Sequence, residues 1–131
     1  MLGTRREARE RALSLLYEAD AKGVGPRDVL DDLPVAPAPF VAELVQGVGE
    51  HQAELDGLIA RFAIDWSLGR MPVIDRTLLR MATYSLLYQP DVPAAVTISE
   101  AVELAKQYST EESGRFVNGV LASIAALVRP A

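Results

Sequence analysis

Cysteine is missing from this 131-residue chain, which removes disulfides, thiolate metal sites and cysteine nucleophiles together and fits a reducing compartment. There is one histidine, His51, so no His-pair metal site can form, and its neighbours Glu50 and Glu54 read as a solvated helix face. Gly-rich phosphate loops, G-x-S-x-G and HExxH are also absent, which leaves catalysis little to stand on. No apolar run approaches the roughly 18 residues that span a bilayer, and the N-terminus is charged where a secretory leader would be apolar. These absences point to a non-enzymatic, cytoplasmic protein with no cofactor, no metal and no membrane attachment.

What is present is the balance of an ordinary globular domain, 50% hydrophobic and 24% charged residues. A chain of this length buries roughly two-thirds of its unfolded surface, enough for one domain without covalent staples. The net charge is −5, yet the first eleven residues run the other way. They hold Arg5, Arg6, Arg9 and Arg11 against Glu7 and Glu10. The basic charge is therefore local.

Hydrophobic periodicity reads as all-α, with six to seven helices. Thr4 with Glu7 forms a capping box and Lys22-Gly23 a stop signal, which predicts a first helix over 5–22. Ala8, Ala12, Leu15, Leu16 and Ala19 make its inward side. Pro26 opens a short helix to about Leu33, and "DLPVAPAPF" is an extended link. Apolar residues from Val41 to Phe62 keep a 3.6-residue period, which predicts one long helix over 39–63. "DWSLGRMP" breaks the chain, and Pro72 begins a helix to Gln89. Thr97 with Glu100 and Ser109 with Glu112 look like capping boxes for helices over 98–108 and 110–128. Asn118-Gly119 is a hairpin signal on its own, but the apolar stripe from Phe116 to Val128 is helical. Gly119 then suggests a close approach by a neighbouring helix.

The arginines oppose local physics. Arg5 and Arg6 stand in the first turn, where the helix dipole makes each cation unfavourable by about 0.3–1 kcal/mol. Arg5, Arg6 and Arg9 fall within about 100° of one another on the helical wheel, while Arg11 points elsewhere. Three guanidiniums and the free N–H groups of the first turn form an arrangement that attracts phosphate. Pairing with surface acids is the other explanation, and the sequence leaves both open. So few contacts suit a single strand better than a duplex, provided that aromatic rings receive the bases. Tyr17, Tyr108 and Phe116 are the candidates, with core packing as the alternative for each.

"RREARERALSLLYE", "DRTLLRMATYSLL", "DVPAAVTISEAVELAKQYS" and "FVNGVL" occur in this order over nearly the whole chain. Together they resemble the NusB family of bacterial transcription antitermination factors. The resemblance implies two small helical bundles packed across each other, an N-terminal half over about 1–65 and a C-terminal half over about 66–131, forming one RNA-binding domain. It implies no catalytic activity. The implied function is binding of the boxA element of nascent ribosomal RNA with the ribosomal protein NusE, within the antitermination complex of RNA polymerase.

Carried over by position, the resemblance implies RNA binding by Arg5, Arg6, Arg9, Tyr17, Tyr108, Glu112 and Phe116, and contact with NusE through Asp75 and Arg76. Glu7 stands where some members carry another arginine, Ser85 where glutamate is frequent, and Ser99 turns "INEA" into "ISEA". Some members form a homodimer that covers the RNA surface, and the sequence decides nothing on this point. Two alternatives stand beside the main reading. One is a detached targeting domain like that of some RNA cytosine methyltransferases, and the other is a helical module that docks only proteins.

Overall fold

A computed structural model describes residues 4–130. Among these residues there are seven α-helices, one 3₁₀ turn and no strand, so the all-α expectation holds. The helices are α1 (Arg5–Lys22), α2 (Pro26–Asp31), α3 (Pro39–Glu50), α4 (Gln52–Phe62), α5 (Val73–Tyr88), α6 (Ala94–Tyr108) and α7 (Glu111–Val128), with the 3₁₀ turn at Leu68–Arg70 before α5. Helices α1, α2 and α3 pack on one another, α5, α6 and α7 form a second group, and α5 touches both. One continuous cluster of buried apolar side chains runs from Ala12 in α1 to Ile124 in α7.

The first helix follows its sequence signals. Thr4 Oγ1 accepts from the Glu7 amide at 3.0 Å, and Glu7 Oε1 accepts from the Thr4 amide at 3.2 Å. At the other end Gly23 adopts a φ of 68°, the left-handed conformation that glycine takes without a Cβ penalty. Leu13, Leu15 and Leu16 are buried, each contributing about 1.5–3 kcal/mol by leaving water.

Helix α5 is the central element. Ten of its residues from Asp75 to Leu86 are buried, as expected for a helix with neighbours on all sides. Two of its buried hydroxyls are met locally: Thr77 donates to the Val73 carbonyl at 2.7 Å and Ser85 to Gln89 Oε1 at 2.6 Å, while Thr83 Oγ1 has no partner.

Four expectations need correction. The single helix over 39–63 is two helices, because His51 takes φ −111° and ψ 15°. Gly47 and Gly49 weaken the helix before that point, and the bend moves the chain from the α1–α2 side onto α5 and α7, where Leu55 and Ile59 are buried. Helix α6 begins at Ala94 and not at 98. The carbonyl of Pro93 accepts from the amides of Val96 and Thr97, which places Thr97 inside the second turn. The cap of α7 is Thr110, whose hydroxyl accepts from the Ser113 amide at 2.9 Å, while Ser109 ends α6. Nothing lies within 4 Å of a Cβ built at Gly119, so no helix approaches there. The close approaches are at Gly47, against Tyr84, at Gly49, against Pro26, and at Gly114, against Lys106.

Candidate nucleic-acid interface

The first turns of α1 deliver Arg5, Arg6 and Arg9 to one end of the molecule, and each has a neighbour. Arg6 Nε donates to Glu100 Oε1 at 3.0 Å and to Oε2 at 2.9 Å, and Arg6 Nη2 also donates to Oε2. Arg9 Nη1 lies 3.5 Å from Glu100 Oε1. The guanidinium carbon of Arg5 stands 3.9 Å from the centroid of the Phe40 ring, and that of Arg9 stands 5.5 Å away. These contacts with a carboxylate and a ring offset the dipole penalty that the first-turn arginines carry.

Exposure separates the three. Arg9 is 7% exposed, whereas the side chain of Arg6 is 44% exposed despite its pairing. The hydrogen bond from Arg6 holds the Glu100 carboxyl below the usual carboxylate range, and the same bond raises Arg6. Burial pulls Arg9 down while Glu100 opposes the shift. Arg11 is exposed and lines a groove with Arg5, Val35, Pro37 and Phe40.

Two turns beyond Arg9, about 12 Å along the axis at 1.5 Å per residue, α1 presents Tyr17. Tyr17 and Tyr108 are 48% and 46% exposed, and together with Glu10, Leu13, Ser14 and Ile74 they line a cleft of about 460 Å³. The Tyr108 hydroxyl donates to Glu10 Oε2. That bond raises the Tyr108 pKa and fixes the ring at the junction of α1 and α6.

A second cleft, of about 540 Å³, opens beside the first at the head of α7 and is lined by Trp66, Asp75, Glu112, Arg115 and Phe116 among others. The start of α5 gives Ile74 to the first cleft and Asp75 to the second, and the turn between α6 and α7 gives Tyr108 to the first and Thr110 to the second, so both clefts border the same helix start and the same turn. The Trp66 and Phe116 rings meet edge to face with centroids 6.4 Å apart. Phe116 is half-buried and also packs against the core, so one ring belongs to both the cleft wall and the core. Glu112 pairs with Arg115 on the rim. At the floor, Asp75 is 3% exposed; its Oδ2 accepts from Ser113 Oγ at 2.8 Å, and its Oδ1 has no partner.

The structure thus brings Tyr17, Tyr108, Glu112, Phe116 and Asp75 to adjoining clefts, with the arginines at the far end of α1. Arg76 is turned elsewhere. Its guanidinium donates to the Leu68 carbonyl at 3.0 Å and to Asp20 at 3.1 Å, so Asp75 and Arg76 do not form one patch. Sequence reasoning missed Glu100, Phe40, Glu10 and Trp66 as members of this surface. Only Trp66 carried a signal, as a lone tryptophan in an apolar-poor break.

Among the described residues no group of three or more His, Cys, Asp or Glu could hold a metal ion, and no helix is long and apolar enough to cross a membrane. A sequence model of the NusB family matches residues 6–126. The transcription antitermination protein NusB of Kineococcus radiotolerans is 49% identical, covering 96% of both chains. The solved structure of T. maritima NusB superposes with a TM-score of 0.85 at 37% identity, covering 95% of this chain and 92% of that one. A structure of the antitermination factors NusB and NusE in complex with dsRNA matches with a TM-score of 0.79 at 27% identity, covering 94% of this chain and 96% of that one.

Proposed function

Because the chain belongs to the NusB family, we propose that it is a transcription antitermination factor, a non-enzymatic RNA-binding protein of the cytoplasm. It binds the boxA element of nascent ribosomal RNA together with NusE and helps RNA polymerase read through terminators. The observation that supports this most directly is the continuous face along α1 and α6. Arginines stand at one end of it and two half-exposed tyrosines, Tyr17 and Tyr108, at the other.

On this reading the chain acts as one domain, with an N-terminal half over about 1–65 and a C-terminal half over about 66–131. Arg5 and Arg6 serve the phosphates, and Arg9, buried against Glu100 and Phe40, adds its charge from behind them. Tyr17, Tyr108 and Phe116 offer ring faces to bases, since stacking accepts any base. Glu112 accepts hydrogen bonds from base edges at the rim of the second cleft. Asp75 and Arg76 contribute to the NusE side, Asp75 from the floor of its cleft and Arg76 by bracing the turn before α5 through the Leu68 carbonyl. The acidic remainder of the surface, in a chain of net charge −5, repels RNA that fails to engage this face.

The salt dependence of binding tests the arginine assignment. Each phosphate contact on a single strand contributes about 0.7 to the slope of log K against log salt. Arg5→Ala is expected to lower the slope by that amount for a boxA-like strand, and an unaltered slope removes Arg5 from the contact set.

A further inference from the structure

Glu100 is the group that the arginine end of α1 faces. It belongs to the second turn of α6 and its side chain is 16% exposed. Two oxygens of one carboxylate meet the fork of Arg6, which is the geometry in which an arginine receives a phosphate. Glu100 takes the Nε–Nη2 edge of the guanidinium, and a phosphate cannot take that edge at the same time. Glu10 and Glu103 also add their charge around Arg6, so three arginines face three carboxylates and the local surface is close to neutral. Glu100 has a second partner in Arg9, and Arg9 is buried. Should Arg6 swing outward, Glu100 keeps a cation beside it and stays in place.

We propose that Glu100 is a specificity-determining residue, an internal occupant of the Nε–Nη2 edge of Arg6 that an RNA phosphate must displace in order to take that edge. The proposal rests on the RNA-binding reading above. Its consequence is that the phosphate contact at Arg6 gives little net affinity to any strand, since an ion pair is lost as one is made. Retention then depends on the strands that also fill the tyrosine and Phe116 clefts. Non-specific RNA, which brings phosphates without those fits, is released.

The test uses the full chain with two fluorescein-labelled single strands, one boxA-like and one scrambled to the same composition, titrated across salt concentrations. Glu100→Gln is expected to tighten the scrambled strand about two- to fivefold, the range that a partly exposed ion pair can withhold. It tightens the boxA-like strand less than that, and it steepens the salt slope by about 0.7. Glu103→Gln makes the same change of charge without opening the Arg6 fork, and is expected to have a smaller effect. The gain disappears in the double variant Arg6→Ala with Glu100→Gln. Glu100→Asp keeps the charge but withdraws the carboxylate by one methylene; it gives part of the same gain and serves if Glu100→Gln melts too low to assay.

Equal effects of the two glutamine variants, or a gain that survives Arg6→Ala, overturn the proposal. If Arg6→Ala weakens binding while neither Glu100 variant changes it, the RNA-binding reading stands and the role of Glu100 falls. Because Glu100 offsets the contact in the parent chain, Arg6→Ala alone is expected to change affinity little; in the Glu100→Gln background it must weaken both strands, and if it does not, Arg6 is no phosphate contact and the proposal falls with that assignment.

Discussion

The ring of Tyr84 lies over Gly47, in the space that a β-carbon on α3 would occupy. Helices α3 and α5 meet at this point, with Tyr84 only 7% exposed and its hydroxyl 3.4 Å from Glu43. Gly47→Ala forces either the ring or α3 to move. It is expected to destabilise the fold by about 1–3 kcal/mol, as overpacked cores do, despite an alanine's gain in helix propensity. Gly119→Ala meets open space and is expected to leave stability unchanged or raise it by up to about 1 kcal/mol. Urea denaturation of both variants checks the contrast.

The two glycines mark how far the sequence could be read. Both sit in helices among apolar neighbours, and nothing local says which one faces a ring from another helix. Helix α1 was legible because its cap, period and stop all lie within the helix itself. The bend at His51 was not, because no proline marks it and the apolar period resumes at Leu55 after a gap of two turns. Thr97 misled because its capping pattern is also compatible with a mid-helix site once Pro93 has started the helix. In the candidate interface, the rings and arginines were visible as residue types. Their partners were not, since Arg6 and Glu100 are 94 positions apart and Asp75 and Ser113 are 38 apart.

Arg129 ties the end of the chain to the end of α5. Its guanidinium donates to the carbonyls of Ser85, Leu86, Gln89 and Val92, at 2.6 to 3.0 Å. These carbonyls belong to a helix C-terminus and the turn that follows, where a cation is favoured; those of Ser85 and Gln89 also accept from the amides of Gln89 and Val92. Arg129→Ala is expected to cost about 1–3 kcal/mol and to raise amide exchange over residues 86–93. Lysine, with one ammonium in place of a fork, restores only part of the loss.

The pairing of Glu100 with Arg6 makes stability depend on acid. The Glu100 carboxyl is held below its ordinary value in the folded chain. The stability it contributes is therefore fully present above the usual glutamate range and is lost as pH falls through the lowered value. Glu100→Gln is expected to be less stable than the parent at neutral pH and to show a smaller decline on acidification. Denaturant melts across that range read the difference directly.

Tyr17 and Tyr108 are half exposed, so their substitution separates binding from folding. Tyr17→Ala and Tyr108→Ala are each expected to weaken a boxA-like strand by about 1–3 kcal/mol, the range for loss of one stacked base. Their thermal midpoints should move little, because neither ring belongs to the core. Phe116→Ala is expected to lower both affinity and stability, as that ring touches the core as well as the cleft.

On the proposed function, this face selects one kind of RNA strand in company with NusE. Fluorescence anisotropy at near-physiological salt, with a boxA-like strand and a scrambled control, each with and without NusE, tests it most directly. Preference for the boxA-like strand and a further gain when NusE is added are expected. Equal or absent binding of both strands, alongside tight binding of NusE, would contradict it and leave the arginine end of α1 as a protein-docking surface.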